Sequence, residues 1–323
     1  MITTPDHAEL FHRDFANLVA NIEQAVLGKQ ACVRIALACL FTGGHLLLED
    51  MPGTGKTSLA KAVARSVQGD HKRVQFTPDL LPGDITGGKI YDLESRTMAL
   101  SRGPIFANVL LADEINRASP KTQSALLQAM EEEIVTIDGQ NLPLPAPFMV
   151  IATQNPIEQA GTYPLPEAQL DRFLVRTELG YPDADATVRL LSEAALRDRS
   201  VNVRPLITPA GVVDRQKLTA GIHVDTSVLQ FVNDIATATR HDSQVQVGVS
   251  VRGCLGLVRL AKTWAAAQGR HFVIPDDIKD LAVEALAHRL VLTVEAEFRD
   301  VRQGAVIRRI MERIDAPVGV RAR

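Results

Sequence analysis

Short apolar runs alternate with amphipathic stretches through the first half of the chain. The runs are typical of buried strands, and several stretches between them are rich in Ala, Leu and Lys, which favour helices. Strands are predicted at residues 45–49, 73–77, 107–112 and 148–153. Buried strands separated by helices predict a parallel sheet with helices on both faces.

Three further segments of this half do not fit simple alternation. Residues 9–40 carry apolar side chains at helical spacing before the first strand. Residues 84–105 and 132–147 are too long and too rich in Gly, Pro and Thr to be plain crossovers. We expect each of these two segments to form an inserted hairpin.

The pattern becomes helical throughout after Tyr181 and Pro182. Helices are predicted at about 186–199, 226–240, 250–268, 275–290 and 295–313, with no strand between residues 185 and 320. The fourth of these opens with Pro275 and two acids, as a helix start should. The sequence therefore predicts an α/β domain over residues 1–181 and an all-α domain over residues 182–323.

Composition and charge narrow the class of protein. The 323 residues are 46% hydrophobic and carry a net charge of -3, so no global field attracts nucleic acid or anionic lipid. Cys32, Cys39 and Cys254 lack the spacing of a zinc site and fit reduced core thiols. With neither a signal peptide nor an apolar run of 18 residues, we expect a cytoplasmic protein without membrane insertion.

The segment LLLEDMPGTGKTSLAKAVA, residues 46–64, is the most informative part of the chain. It combines a strand, a tight turn at Pro52, Gly53, Thr54 and Gly55, and a helix that opens with Lys56, Thr57 and Ser58. Unpaired amides at such a helix start attract phosphate, the lysine reaches the β and γ phosphates, and the threonine hydroxyl ligates Mg²⁺. This loop predicts a nucleoside triphosphatase.

The loop departs from the strict phosphate-loop pattern at one position. The pattern has glycine five residues before Gly55, and this chain has Asp50. Because the cradling amides come from later residues, we expect the departure to leave the phosphate-binding mechanism intact.

Two adjacent acids end the third predicted strand. Asp113 is expected to hold the Mg²⁺ shell, and Glu114 to orient and deprotonate the attacking water. Neighbouring strand residues point to opposite sides, which would give each carboxylate its own role. The alternative, that both acids cap the next helix, is weakened because that helix has its own start at Ser119.

Two further polar residues follow in an order that suits a hydrolytic site. Asn155 ends the fourth predicted strand, where an amide can bridge the lytic water and the γ phosphate. Arg172 precedes Phe173, and an arginine supplied across a subunit contact can neutralise charge on a phosphoryl group. Taken alone, an ion pair between Asp171 and Arg172 on the surface would account for that arginine equally well.

These motifs together resemble the MoxR family of AAA+ ATPases. The resemblance covers about residues 15–315 and is carried by the segments LLLEDMPGTGKT, QFTPDLLPGDITG, FANVLLADEINRASPKTQSALLQAMEE, IATQNPIEQAGTYPLPEAQLDRF and VSVRGCLGLVRLAKTWAAAQGR. It implies a P-loop three-layer αβα core, hairpins near 86–102 in helix 2 and near 134–147, and an all-α lid. It also implies assembly into a ring, usually a hexamer, with each ATP held between neighbouring subunits.

The resemblance also implies roles for single residues. Lys56 and Thr57 match the phosphate-loop residues, Asp113 and Glu114 the metal and water acids, Asn155 the first sensor and Arg172 the arginine finger. Arg252 matches the second sensor, which reaches back to the γ phosphate, although Val251 stands where relatives often have proline. Gly28 matches the adenine-side contact.

The resemblance implies chaperone-like work on another protein complex, often with a separate von Willebrand factor A domain protein. The sequence does not identify the client protein. One alternative is a nucleic-acid motor, but the inserted region mixes bases with acids and makes a poor electrostatic groove. The residues concerned are Lys89, Arg96, Arg102 and Tyr91 against Asp84, Asp92 and Glu94. A scaffold that scarcely hydrolyses ATP is a third hypothesis, and Glu114 argues against it.

Overall fold

Two helices open the chain. The computed structural model describes residues 3–51, 53–92, 96–155, 162–193 and 198–317. Helix α1 covers Pro5–Glu23, and the Thr4 hydroxyl caps its start by accepting the N–H of His7. Helix α2 covers Gln30–Thr42 and ends at Gly43, whose φ of +71° suits a residue without a Cβ.

A parallel sheet of five strands forms the centre of the α/β half. The strands of the chain are β1 (Leu46–Glu49), β2 (His71–Gln75), β3 (Gly87–Asp92), β4 (Thr97–Arg102), β5 (Val109–Asp113), β6 (Ile134–Ile137), β7 (Gln140–Pro143), β8 (Met149–Gln154), β9 (Val175–Thr177), β10 (Val245–Val247) and β11 (Val291–Leu292). The sheet order is β2-β5-β8-β1-β9, and every pair in it is parallel. The predicted parallel sheet is confirmed. Its three-residue fifth strand, β9, was not predicted.

Helices cover both faces of this sheet. The remaining helices are α3 (Lys56–Ser66), α4 (Pro82–Thr86), α5 (Pro120–Glu132), α6 (Glu167–Leu170), α7 (Ala184–Ser192), α8 (Pro209–Ala220), α9 (Thr226–His241), α10 (Val251–Ala267), α11 (Pro275–Leu286), α12 (Val294–Phe298) and α13 (Gln303–Arg313). Because side chains alternate along a strand, Leu46 and Leu48 join the core that contains α2 and α3, whereas Leu47 joins the core that contains α5.

Both predicted hairpins are present. Strands β3 and β4 form one antiparallel pair, and β6 and β7 form the other. The first pair carries exposed Ile90, Tyr91 and Met98. A two-stranded ribbon that exposes apolar side chains is suited to contact another protein surface.

The second half of the chain differs from the prediction in four places. The helix predicted over 186–199 ends at Ser192, and Arg199 begins a separate 3₁₀ helix. Helix α8 was missed, and strands β10 and β11 pair antiparallel, so the expectation of helices alone was wrong. The helix predicted over 295–313 is two helices, because Asp300 adopts a φ of +54° between α12 and α13. The predicted helices near 226, 250 and 275 are confirmed.

Among the described residues, the buried side chains of the helical half belong to the same hydrophobic core as those of α1 and α2. Helix α10 packs on both α1 and α2, and one continuous cluster of buried residues extends from Phe11 through Leu257 to Ile310. The lid helices are therefore built onto the first two helices of the chain. The division at residues 181 and 182 stays a prediction. Within the described residues, no helix is long and apolar enough to span a bilayer.

Candidate active site

The phosphate loop connects β1 to α3 at the carboxyl edge of the sheet. Gly53 and Gly55 have φ values of +86° and +101°, which L side chains rarely adopt. Gly55 is the N-cap of α3 and supplies no side-chain cap, so the first amides of the helix face the loop. Pro52, also predicted to contact nucleotide, lies outside the described residues. The loop thus presents backbone N–H donors of the kind that bind phosphate.

The ammonium group of Lys56 lies against the loop. Its Nζ donates to the carbonyl oxygens of Asp50 at 3.1 Å and Met51 at 3.2 Å. The hydroxyl of Thr54 donates to the same Met51 carbonyl at 3.3 Å. These bonds keep the positive charge beside the glycines of the loop, where phosphate oxygens can replace the carbonyls as acceptors.

Asp50, the residue that departs from the phosphate-loop pattern, is buried, and its carboxylate connects two segments of backbone. Its Oδ2 accepts the N–H groups of Leu179 at 2.6 Å and Gly180 at 2.8 Å, and its Oδ1 accepts that of Met51 at 3.1 Å. The carboxylate thereby ties the phosphate loop to the segment that leaves β9. The sequence shows no local signal for this contact, because the partners lie 129 and 130 residues away.

Asp113 and Glu114 lie at the same edge, one strand beyond β8. The Oδ1 of Asp113 accepts the Thr153 hydroxyl at 2.6 Å, and its Oδ2 accepts Nη2 of Arg73 at 2.6 Å. The chain then turns, because Glu114 has a φ of +56°. Because β5 ends at Asp113, the strand alternation expected between the two acids does not extend to Glu114.

The carboxylate of Glu114 has two side-chain donors. Its Oε2 accepts Nε2 of Gln75 at 2.7 Å and Nη1 of Arg117 at 2.9 Å. Its backbone N–H donates to the Thr153 hydroxyl at 2.8 Å. Gln75 and Arg117 were not predicted as site residues. They hold the expected general base in one orientation beside the end of β2.

Asn155 is buried directly after β8, the strand between β5 and β1. The carbonyl of the preceding Gln154 accepts the N–H of Asp50 at 3.1 Å. The structure thus brings Asn155, the phosphate loop and Asp113 to one edge, as the sequence order predicted.

A cavity of about 250 Å³ opens beside the phosphate loop. Its walls come from the α1–α2 turn, the loop itself and the region around α7. The lining residues are Ala25, Val26, Leu27, Lys29, Gly53, Thr54, Gly55, Ser58, Pro182, Leu190, Glu193 and Arg199. The aliphatic side chains of the α1–α2 turn suit a nucleotide base, whereas the region around α7 adds the charged Glu193 and Arg199.

Glycine is required at residue 28 in the turn that forms one of these walls. Its φ is +69°, and a Cβ there would lie 3.0 Å from the Cβ of Ala186. Arg199 was missed by sequence analysis, and its Nη2 lies 2.8 Å from Oε2 of Glu193 at the opposite wall.

The expected magnesium ligands fit the ion's chemistry. Among the described residues no group of three or more His, Cys, Asp and Glu side chains could hold a metal on its own. Thr57, in the first turn of α3, and Asp113 offer the hydroxyl and carboxylate oxygens that Mg²⁺ uses together with substrate phosphates.

Arg172 and Arg252 lie at the opposite edge of the sheet. Nε of Arg172 is 2.8 Å from Oε2 of Glu131, and Nη2 of Arg252 is 3.2 Å from Oε1 of the same carboxylate. Glu131 follows Met130, whose carbonyl contacts Nε2 of His45 just before β1. This is the amino edge of the strands.

The two arginines are therefore far from the phosphate loop of their own chain. The backbone from His45 to Asp50 alone spans about 16 Å at about 3.3 Å per residue. The expectation that Arg252 reaches back to a γ phosphate does not fit the nucleotide site of the same protomer. Its helix start is capped without proline, because the Ser250 hydroxyl accepts the N–H of Gly253 at 3.1 Å.

Comparison with protein families identifies both halves of the chain. Residues 45–175 match the model described as the ATPase family associated with various cellular activities. Residues 237–310 match an AAA lid domain.

Individual relatives match over nearly the full length. The uncharacterized protein YeaC of Bacillus subtilis is 44% identical, covering 97% of this chain and 98% of the relative. The chaperone MoxR1 of Mycobacterium tuberculosis is 37% identical, covering 93% and 81% respectively. A solved structure of a proposed ATPase from Cytophaga hutchinsonii has a TM-score of 0.90 at 34% identity, covering 96% of this chain and 97% of that one.

Proposed function

The chain belongs to the MoxR family of AAA+ ATPases, and we propose that it couples Mg²⁺-dependent ATP hydrolysis to remodelling, assembly or activation of a partner protein complex. One observation carries the proposal. Lys56, Asp113, Glu114 and Asn155 lie at one edge of the sheet, and two arginines lie at the other. A protomer therefore has a hydrolytic site at one edge and the groups to complete a neighbour's site at the other.

We assign the binding roles at the carboxyl edge to the loop and its helix. The amides of residues 53–58 and the Lys56 ammonium hold the phosphates, and the turn at Gly28 closes on the base. Thr57 and Asp113 are the residues that would hold Mg²⁺. Bound there, the ion would neutralise charge on the β and γ phosphate oxygens. Asp113 also has to exchange its bond from Arg73 for this role.

Glu114 is proposed as the general base, which takes a proton from the attacking water. Gln75 and Arg117 both donate to Oε2, so the second oxygen is the better candidate to accept that proton. Asn155, which directly follows β8 next to the phosphate loop, is proposed to orient the same water against the γ phosphate.

Arg172 and Arg252 are proposed to act on the ATP of a neighbouring protomer. Their distance from the phosphate loop of their own chain supports this. The chemistry of arginine supports it too, because one guanidinium group can donate two hydrogen bonds to the oxygens of a phosphoryl group. A contact that joins the carboxyl edge of one protomer to the amino edge of the next is heterologous. Such contacts form a ring when the rotation between subunits closes, and we propose a ring of six subunits.

Hydrolysis can be transmitted to the lid through the amino edge. Nε of Arg289, in the turn after α11, donates to Oδ1 of Asp171 at 2.6 Å, and its Nη2 donates to the Phe173 carbonyl at 2.8 Å. Nε2 of His288 lies 3.1 Å from the same carbonyl. Because these bonds attach the Arg172 segment to the lid, a shift of the arginines on phosphate release would move the lid helices.

The similarity to the chaperone MoxR1 supports a protein partner over other targets. We propose that a separate von Willebrand factor A domain protein presents the client complex. The exposed Ile90, Tyr91 and Met98 of the β3–β4 hairpin offer an apolar surface for such a contact. The three cysteines are free, which supports a reducing compartment, and we propose the cytoplasm.

A motor acting on nucleic acid is the second candidate, and the charges of the inserted hairpin argue against it. A strand-tracking channel needs unpaired basic side chains, often with aromatics. Lys89 instead lies 3.7 Å from Oδ2 of Asp138.

The test is affinity capture from the native host with Glu114→Gln as bait in the presence of ATP. Recovery of a von Willebrand factor A domain protein or a specific enzyme complex is expected, and it should be lost with Lys56→Ala, which is expected not to bind ATP. Recovery of nuclease-sensitive nucleic acid instead would transfer the proposal to the motor.

A further inference from the structure

Glu131 is the shared partner of the two arginines at the amino edge. Each arginine occupies a different oxygen of its carboxylate, Arg172 at 2.8 Å on Oε2 and Arg252 at 3.2 Å on Oε1. The arginines come from distant parts of the chain, one from the loop before β9 and the other from the lid helix α10. The carboxylate thus holds two positive groups side by side.

The contribution of these ion pairs to folding stability does not explain why one carboxylate binds both arginines. All three side chains are partly exposed, and exposed ion pairs contribute only about 0–1 kcal/mol each to stability. Two neighbouring guanidinium groups repel each other, so without a carboxylate between them the long side chains would spread apart. The hydrogen bond from Arg172 lowers the pKa of Glu131, and the nearby charge of Arg252 adds to this effect.

The backbone that carries Arg172 is itself anchored. The preceding Asp171 accepts Nε of Arg289 at 2.6 Å and the Ser250 hydroxyl at 3.3 Å. With the backbone anchored, Glu131 determines where the two side-chain heads lie.

We propose that Glu131 is a positioning residue. It orients the guanidinium groups of Arg172 and Arg252 so that both can bind the γ phosphate of ATP held by the neighbouring protomer. The inference rests on the proposed function, because it requires that these arginines act on a neighbour. Glu131 itself does not touch the nucleotide. Its single negative charge leaves the pair with a net positive charge, and both heads remain partly open to solvent.

The test compares Glu131→Gln with Glu132→Gln. Glu132 is the matched control, since it lies next along α5 and accepts only Gln128 among the described contacts. We expect Glu131→Gln to lower kcat by about 10- to 100-fold, the cost of misplaced catalytic groups. The KM for ATP, ATP affinity and Tm should stay within about twofold or about 2 °C of wild type, because the protomer's own nucleotide site is at the other edge.

Mixing variant subunits shows whether Glu131→Gln impairs the protomer's own nucleotide site or the arginines that it supplies to a neighbour. Glu131→Gln mixed with Lys56→Ala should regain turnover, because the Lys56→Ala protomer supplies an intact pair of arginines. Glu131→Gln mixed with Arg172→Ala should not, because both protomers lack that pair.

The possible failures of the two proposals are distinct. Wild-type or faster turnover by Glu131→Gln, with Arg172→Ala impaired, would overturn the positioning role and leave the proposed function standing. An equal loss of ATP affinity and kcat in Glu131→Gln would also overturn it. Wild-type turnover by Arg172→Ala would instead overturn the action of the arginines on a neighbour.

Discussion

Oδ2 of Asp50 accepts the backbone N–H of Leu179 at 2.6 Å. Asp50 begins the phosphate loop, and Leu179 lies just beyond β9 on the path to helix α7, which lines the cavity beside that loop. The position at which this loop departs from the strict glycine pattern therefore connects the loop to the segment that leads to the cavity wall around α7.

Restoring glycine at this position should harm the protein. Asp50→Gly removes a buried carboxylate and leaves the N–H groups of Leu179 and Gly180 without their acceptor. We expect a loss of about 3 kcal/mol of unfolding free energy, as for charged hydrogen bonds, and weaker ATP binding. Urea denaturation and titration with a fluorescent ATP analogue measure the two effects. Asp50→Asn, which keeps an acceptor oxygen, should be intermediate, and tighter ATP binding by Asp50→Gly would contradict the assignment.

Lys56 and Glu114 should separate binding from hydrolysis. Lys56→Ala is expected to abolish or greatly weaken ATP binding, because the ammonium beside the loop is lost. Glu114→Gln should bind ATP as wild type does but turn it over about 100-fold or more slowly, because an amide cannot accept the proton of water. Nucleotide titration and steady-state phosphate release measure this. Equal turnover by wild type and Glu114→Gln would refute the assigned base.

Arg172→Ala should lose hydrolysis by about 1,000-fold while each protomer still binds ATP, as expected of an arginine supplied in trans. Mixed with Lys56→Ala, it should regain part of the activity, since each variant supplies what the other lacks. Phosphate release over a range of mixing ratios checks this. No recovery under conditions in which mixed rings form would count against action on a neighbour.

Arg252→Ala should behave like Arg172→Ala, because both guanidinium groups lie on one carboxylate. Activity is expected to return on mixing with Lys56→Ala but not on mixing with Arg172→Ala. The same phosphate-release assay applies. Recovery with Arg172→Ala would mean that the two arginines serve different nucleotide sites.

His45 should make the protein sensitive to mild acid. Its Nδ1 accepts the N–H of Val150 at 3.0 Å and its Nε2 contacts the Met130 carbonyl at 3.0 Å, a pattern that fits the neutral ring. Burial lowers the pKa of His45 from 6.5 to about 4. Above pH 6.5 both folded and unfolded states are neutral at this ring, whereas between pH 6.5 and about 4 only the unfolded state binds the proton. Stability therefore falls as pH falls through this window.

The size of this effect follows from about 1.4 kcal/mol per pH unit, or about 2 kcal/mol between pH 6.5 and 5. Urea denaturation of wild type and His45→Gln at pH 7.5 and 5.0 measures it. The decrease should be smaller in the variant by about that amount. The same decrease in both proteins would assign the acid sensitivity to other groups.

Predictions from local sequence were successful where a motif and its structure lie within one stretch of chain. The phosphate loop of residues 46–64 contains its own strand, turn and helix start, so its conformation follows from neighbouring residues. The parallel sheet and both hairpins were also predictable, because alternation and turn composition are local signals. Strand β9 was missed because three residues are too few to establish a period.

Contacts between distant parts of the chain could only be found in the folded protein. In the sequence, Asp50 is a minor departure from the phosphate-loop motif. Its hydrogen bond from the N–H of Leu179 depends on β1 and β9 being neighbours in the sheet. Gln75 reaches Glu114 because β2 pairs with β5. Nothing in the sequence around Asp50 or Gln75 indicates which strand lies next to its own.

The order of residues along the chain thus sufficed to identify the ATPase family and to predict that Lys56, Asp113 and Asn155 lie at one edge of the sheet, since parallel strands bring successive strand ends to one side. The tertiary structure alone decided that Arg172 and Arg252 meet at the other edge on Glu131. The physical reason is that the lid helices share a core with α1 and α2. Burial of that shared apolar surface, to which residues across the whole chain contribute, fixes where α10 begins and so where Arg252 lies.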